Sequence, residues 1–307
     1  MRIGLLTCRA KPKLDEDEKA FVAALSKMAE VRPIVWNDAL RDAKGPNAPD
    51  AWIIRSTWDY HRSCDLFLET LRELSSQSAL FNPFEMLLWN ANKSYLLDLE
   101  SSGIQGIPTF WVEDQHATLE SAETWASSLA EIKAIKQGGK PTFVVKPAIS
   151  ANAERTHLVQ GIDRALALAK EIVADVSPAM IQPYLPILQN SGEHSLVFFD
   201  GTFSHAIRRV RSVEGTGFSA EESTRDAVRI VPTDREMRIA ENVLAVIRDK
   251  HTTPLYARVD LVPADTLTPE PLLCEVELIE PGLFFRQCPE AGETLANAFL
   301  RTYTSRL

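Results

Sequence analysis

The sequence predicts an α/β protein built in two or three lobes, and three observations carry that prediction. Short apolar runs alternate with amphipathic helical stretches through residues 2–76. Two strand–turn–strand patterns follow later, at 193–210 and 255–280. A chain of 307 residues, 45% hydrophobic and 24% charged, is long enough for more than one sizeable core.

Composition also narrows the function. A net charge of -9 argues against a nucleic-acid-binding surface as the main purpose, though it leaves room for a local basic pocket. No run approaches the roughly 18 apolar residues of a membrane span. The start, MRIGLLTCRAKPKLDEDE, turns acidic where a signal peptide stays apolar, so a cytoplasmic location is expected. Cys8, Cys64, Cys274 and Cys288 show no C-x-x-C spacing and read as small core residues in a reducing compartment.

The first lobe is expected to be a small parallel α/β unit. RIGLLTC (2–8), VRPIVW (31–36) and AWIIRST (51–57) read as buried strands. Residues 15–29 read as a helix with an acidic first turn and an apolar stripe of Phe21, Val22, Leu25 and Met28. A second helix covers 62–76. G-x-G-x-x-G is absent from the first turn, so no dinucleotide fingerprint is present. RSTWDY (55–60) leaves the end of a buried strand, where open α/β sheets place their ligands. Arg55, Ser56, Thr57, Trp58 and Asp59 offer a cation, hydroxyl donors and an aromatic wall fit for a carboxylate; the alternative is a loop capping the lobe's core.

LFNP (80–83) precedes a helix expected over 89–103, with Lys93 early on it and Gly103 as its stop. PTFWV (108–112) is a strand, 118–136 a helix and QGGKP (137–141) a turn. TFVVKP (142–147) is a buried strand ending in Lys146. A fully buried ammonium is costly unless paired, and a phosphate would satisfy it; the alternative is a snorkelling edge residue. AISANAERTH (148–157) is a loop of small residues, suited to close approach of backbone N–H groups to phosphate yet lacking glycine. Helix 161–176 and the Pro-containing strand AMIQPYLP (179–186) follow. EHSLVFFDGTFSHAIRRV (193–210) is a hairpin turning at Asp200-Gly201. Residues 211–226 form a polar loop, 234–250 a helix with Asp234 near its N-cap, and 290–304 a C-terminal helix.

The segment 255–280 concentrates the chemistry. In LYARVDLV, alternation puts Tyr256, Arg258, Asp260 and Val262 on one side; in LLCEVELI it groups Leu273, Glu275, Glu277 and Ile279. Antiparallel pairing brings three carboxylates and one arginine together. Such acids repel at close range, and a divalent cation relieves that repulsion; Mg²⁺ or Mn²⁺ suits an all-oxygen set. The alternative is a solvated outward face. By strand parity Glu280 falls on the opposite side from Glu275 and Glu277, outside the metal set.

A lysine on a helix, a lysine ending a buried strand, a small-residue loop, M-I-Q-P-Y-L, G-E-x-S, R-x-D and a terminal E-x-E occur in that order. The order resembles the ATP-grasp superfamily of carboxylate–amine and related ligases, over nearly the whole chain. RSTWDY, LFNP, WNANKSYLLDL, GEHSL, FSHAIRR and ELIEP are most similar to the branch that includes the cycloserine-forming cyclo-ligase. The resemblance implies a pre-ATP-grasp α/β lobe over 1–88, a small ATP-grasp lobe over 89–186 and a large lobe over 187–307 that carries the metal site. It implies that Lys93 and Lys146 hold the α- and β-phosphates of ATP, and that the loop from Ser150 to Thr156 folds over them. Gln182, Tyr184 and Leu185 match the adenine hinge, and Glu193 the carboxylate taking the ribose hydroxyls. Arg208 or Arg209 occupies the place of a basic residue that reaches the γ-phosphate. Arg258 matches the catalytic arginine that stabilises the acyl-phosphate and tetrahedral intermediate, and Asp260, Glu275 and Glu277 the Mg²⁺ ligands.

Two departures stand out: the last motif is E-x-E rather than E-x-N, and the phosphate loop lacks its customary glycines. The implied reaction activates a small-molecule carboxylate as an acyl-phosphate and couples it to an amine or similar nucleophile, releasing ADP and phosphate. The other readings are intramolecular ring closure, phosphotransfer, or a non-catalytic ATP-binding regulator. RSTWDY, the 211–226 loop and Arg286 are the expected specificity positions. His61, His194 and His205 are candidate bases, with a structural role as the more common alternative for a lone histidine in a hairpin. Dimers are common among such relatives, and nothing in this chain marks the interface.

Overall fold

The computed structural model describes residues 1–129, 141–151, 153–175, 178–210, 213–214, 217–218, 227–265 and 268–306. The end of the helix expected over 118–136, most of the QGGKP turn and most of the 211–226 loop lie outside them.

Three sheets organise these residues. The first is parallel, in the order β2-β1-β3-β4, from β1 (Arg2–Thr7), β2 (Glu30–Val35), β3 (Ala51–Ser56) and β4 (Ala79–Phe81). Its strands read as continuous apolar runs because both faces are covered. On one face Ile3, Leu5 and Ile53 pack beneath α1 (Lys19–Leu25) and α10 (Glu290–Thr304). On the other, Leu6, Trp52 and Ile54 meet α3 (Cys64–Gln77). A Cβ at Gly4 would lie 2.5 Å from the Trp52 ring, and one at Gly292 2.7 Å from the backbone of Ala20. Both close approaches therefore require glycine. The C-terminal helix thus belongs spatially to the first sheet.

The second sheet has the order β11-β12-β7-β6-β8-β5, with β5 (Phe110–Val112), β11 (Val213–Glu214) and β12 (Gly217–Phe218). Its centre is β6 (Thr142–Pro147), flanked antiparallel by β7 (His157–Gln160) and β8 (Ala179–Pro183). Alternation along β6 divides its work. Phe143 and Val145 pack under α6 (Leu119–Ser128) and α7 (Ile162–Asp175), while Val144 and Lys146 face the opposite way.

The third sheet, β13-β10-β9-β14-β15, is antiparallel and begins at its edge with β13 (Val228–Ile230). It contains β9 (Glu193–Phe199), β10 (Thr202–Arg209), β14 (Tyr256–Val262) and β15 (Leu272–Glu277). Leu196, Ala206, Val259 and Val276 bury one face against Ala240, Val243, Leu244 and Ile247 of α9 (Asp234–Lys250). That helix begins with a capping box between Thr233 and Glu236. The opposite face packs Val197, Phe199 and Ile207 into the core beneath α10 and also carries the polar residues Glu193, Ser195 and Asp260.

The helix expected over 89–103 is broken. The chain forms α4 (Phe84–Asn90) and α5 (Tyr95–Ser101), with Lys93 in the turn between them. The Asn92 Oδ1 accepts from the Ser94 N–H at 2.9 Å, a local bond that competes with continued helix. The side chains around this break close the edge of β15. Asn90 donates to the Val276 carbonyl and accepts from the Leu278 N–H, each at 2.9 Å. Tyr95 does the same on Val276, at 2.9 and 2.8 Å. Asn82 of LFNP donates to the Tyr256 and Leu278 carbonyls and accepts from the Leu255 N–H. An edge strand's unpaired backbone groups are thereby satisfied by side chains. The helix expected over 15–29 is likewise shorter: a 3₁₀ turn, Glu16–Glu18, precedes α1.

Candidate active site

A cavity of about 780 Å³ lies between the polar faces of the second and third sheets and opens toward the strand ends of the first. Its floor is set by register. Arg258 lies opposite Glu277 and Asp260 opposite Glu275 across β14 and β15, while Ser195 lies opposite Asp260 on β9. Asp260, Glu275 and Glu277 each offer an oxygen within 4.8 Å of the others. Asp260 is fully buried and the two glutamates partly so.

Two arginines and a lysine balance this charge. Arg258 donates to Asp260 at 2.9 and 2.8 Å and also to Glu277. Arg209 donates to Asp260 and to the Ser195 hydroxyl, both at 2.9 Å, and pairs with Glu193 at 3.3 Å. Both guanidiniums lie over the Phe284 ring, 5.7 and 5.6 Å from its centre. Lys93 pairs with Glu275 at 3.1 Å and donates to the Ser150 carbonyl at 2.9 Å and to its hydroxyl at 3.2 Å. Burial works to raise Asp260, yet the charges of Arg258 and Arg209 hold its carboxyl well below the usual range. Burial raises Glu277 to about 7; Arg258 opposes that rise, while Glu275 and Asp260 add to it.

The expected nucleotide residues converge. Lys146, Ser150, Gln182, Tyr184, Leu185 and Glu193 line the same cavity as Lys93. No hydrogen bond or ion pair among the described residues engages the Lys146 ammonium. Gln182 donates to the Thr109 hydroxyl at 2.9 Å. The Tyr184 N–H is already committed to the Thr142 carbonyl at 2.9 Å. The glycine-poor loop still takes left-handed backbone, at Ala153 (φ 56) and Arg155 (φ 58). Between these two, Glu154 accepts from Arg62 at 2.8 Å and shares a 2.9 Å hydrogen bond with His61.

Three expectations differ from the geometry. Arg208, named with the ATP-binding residues, points away. It pairs in register with His194 on the opposite face of the sheet and lines a separate hollow beside Thr233 and Glu236. Alternation gives the cavity to Arg209, opposite Glu193. Arg55 is 1% exposed and held by Glu18 at 2.7 and 3.0 Å and by the Pro281 carbonyl at 2.8 Å, so it braces the wall rather than meeting a ligand. Ser56 and Thr57 are buried, the Ser56 hydroxyl accepting from the Asp15 N–H, and Asp59 accepts from the Trp36 indole at 2.7 Å. Of that set Trp58 lines the cavity, together with Tyr60. Finally, Glu280 also lines it, because β15 ends at Glu277 and strand parity does not continue through the bend at Ile279 and Glu280. Arg286 lies on the cavity wall, near Asp17 at 3.6 Å.

Glu280, Glu18 and Phe284 are site residues that the sequence alone does not single out. For Glu280 the signal was the Glu-Pro step, which closes a strand.

The chain has the ATP-grasp fold. Residues 3–82 match the family model "D-cycloserine synthetase DcsG, N-terminal domain". The chain is 29% identical to the cycloserine biosynthesis protein DcsG of Streptomyces lavendulae over 244 residues, 76% of this chain and 77% of that one. The crystal structure of D-cycloserine synthetase DcsG superposes with a TM-score of 0.84 at 22% identity, covering 98% of this chain and 99% of that one. D-alanine–D-alanine ligase from Bacillus anthracis, complexed with ATP, gives 0.66 at 17% identity, covering 100% and 99%. No helix among the described residues is long and apolar enough to cross a membrane.

Proposed function

We propose that the protein uses ATP to activate a small-molecule carboxylate as an acyl-phosphate and couples it to an amine, releasing ADP and phosphate. One observation carries the reading. A cluster of three hard-oxygen acids, two buried arginines and two lysines shares one cavity, and among the described residues nothing engages the Lys146 ammonium. That pattern fits a polyanion with its counter-cation. Asp260, Glu275 and Glu277 fit Mg²⁺ or Mn²⁺ by donor type and spacing. The bound ion supplies charge neutralisation on the phosphates.

The chain's own residues then do the following. Lys93 and Lys146 hold the α- and β-phosphates, and the Ser150 loop covers them. The Gln182–Leu185 segment and Glu193 receive the adenine and ribose. A substrate carboxylate oxygen attacks the γ-phosphorus, and the β–γ bridging oxygen leaves with its electron pair on ADP. Arg258 and Arg209, fixed by Asp260, offset charge on the transferring group; no side-chain nucleophile is needed. The amine then attacks the acyl carbon, and phosphate leaves. Lobe limits at 1–88, 89–186 and 187–307 are part of this reading.

Ring closure within one substrate is the second reading. The likeness to a cycloserine biosynthesis protein favours it. An ¹⁸O-labelled carboxylate tests the shared step: the proposal requires one labelled oxygen in the released phosphate. Unlabelled phosphate, formed at the same rate, would contradict it.

A further inference from the structure

The segment 279–286, which has no regular secondary structure, is held by side chains along its backbone. The Tyr256 hydroxyl donates to the Ile279 carbonyl at 3.0 Å, the Trp58 indole to Glu280 at 3.4 Å and Arg55 to Pro281 at 2.8 Å. Arg258 donates to the Gly282 carbonyl at 3.2 Å, and His205 pairs with that of Leu283 at 2.9 Å. Asp17 accepts from the Phe285 and Arg286 N–H groups at 3.1 and 2.8 Å. Such a strap fixes the position of whatever it carries into the cavity, and it carries Glu280.

The Glu280 carboxylate differs from its acidic neighbours. Asp260, Glu277, Glu275 and Glu18 are each paired with an arginine or lysine. No hydrogen bond or ion pair among the described residues engages the Glu280 carboxylate; its backbone carbonyl accepts from Trp58. Glu280 lines the cavity together with the metal-type acids, and Trp58, whose indole donates to the Glu280 carbonyl, lines the same cavity. Burial, then the nearby Glu277, pushes the Glu280 carboxyl well above the usual range, so a cation brought beside it would be welcomed.

We propose that Glu280 is the catalytic residue that receives the attacking amine. This rests on the ligase reading given above. The amine nitrogen's lone pair forms the C–N bond to the acyl carbon. The carbon–oxygen bond to phosphate breaks, its electron pair leaving on the phosphate, and the proton released from nitrogen passes to the Glu280 carboxylate.

The test separates the two half-reactions. Wild type, Glu280→Gln and Glu280→Asp are incubated with ATP, Mg²⁺ and a panel of small amino acids and other carboxylates. One set contains hydroxylamine, a neutral nucleophile that traps acyl-phosphate as hydroxamate; a parallel set contains amines. For Glu280→Gln the expected result is hydroxamate formation within about twofold of wild type and amide formation lowered about a hundredfold. Glu280→Asp should fall between. Matching thermal melts confirm folding. Equal loss of hydroxamate and amide in both variants overturns the proposal and assigns Glu280 to phosphoryl transfer. Unchanged amide formation in Glu280→Gln overturns it too. A wild-type protein that forms no hydroxamate and no ADP with any carboxylate overturns both this and the ligase reading.

Discussion

Lys93 and Glu275 form a 3.1 Å ion pair that ties the turn between α4 and α5 to the acid cluster on β15. The same ammonium holds the Ser150 carbonyl of the phosphate loop. One lysine therefore links the loop expected to cover ATP with the acids expected to bind its metal. On the proposed reading, nucleotide entry exchanges these contacts for phosphate contacts.

Among the described residues, Lys146 has no such contact to lose. Lys146→Ala should weaken ATP binding about tenfold or more, the size of a charge-assisted hydrogen bond. Its thermal midpoint should match wild type. Calorimetric titration with a non-hydrolysable ATP analogue checks this. Unchanged affinity would remove Lys146 from the phosphate site.

The face assignment of the two adjacent arginines gives a paired prediction. Arg209→Ala should lower ADP formation about a hundredfold, as loss of a positioned charge stabiliser does. Arg208→Ala should leave it within about twofold, because Arg208 lies on the far face. Steady-state kinetics on both variants decides it, and the reverse order would contradict the register.

Asp260→Asn should lose both activity and stability. Asp260 is 0% exposed and accepts from Arg209 and Arg258. Neutralising it leaves two buried guanidiniums short of a counter-charge, a change that costs about 3–5 kcal/mol. Urea unfolding measures that cost. An Asn variant as stable as wild type would mean that Glu193 and Glu277 suffice to balance the two arginines.

Asn82→Ala should destabilise the protein without touching the site. It strands the Leu255 N–H and removes donors to two buried carbonyls, at about 1–3 kcal/mol for an unmet group. Denaturant midpoints read this directly, and the Michaelis constant for ATP should not move.

His205 predicts the acid side of stability. Burial lowers its ring below the ordinary value, its bond to the Leu283 carbonyl opposes that, and Arg229 adds to it. A histidine with a lowered folded value binds more protons when unfolded. Its stabilisation is therefore present above about pH 6.5 and lost as pH falls through the folded value. Wild type should lose more stability than His205→Gln between about pH 7 and 5.5. Equal slopes in urea unfolding would exclude the histidine as the source.

Much of this site was legible in the sequence. Period-two alternation in ARVDLV and CEVEL placed Arg258, Asp260, Glu275 and Glu277 on one face, and the pairing register keeps them there. The rule stops where a strand stops, which is why Glu280 escaped it. Arg208 and Arg209 could not be told apart, because the register shift between Phe203 and His205 sets which residue faces inward. Arg55 looked available because its partner Glu18 lies 37 residues away in the chain. The break at Lys93 was hidden because WNANKSYLLDL has helical composition; the Asn92 turn and the pull of β15 on Asn90 decide it.

The central claim is that this cavity makes an acyl-phosphate from ATP and a carboxylate. Phosphorus NMR of the products, with ATP, Mg²⁺, a panel of small carboxylates and an amine, tests it most directly. The account predicts ADP and inorganic phosphate in equal amounts, formed only when both substrates are present. AMP and pyrophosphate, or a stable phosphorylated substrate, would contradict it.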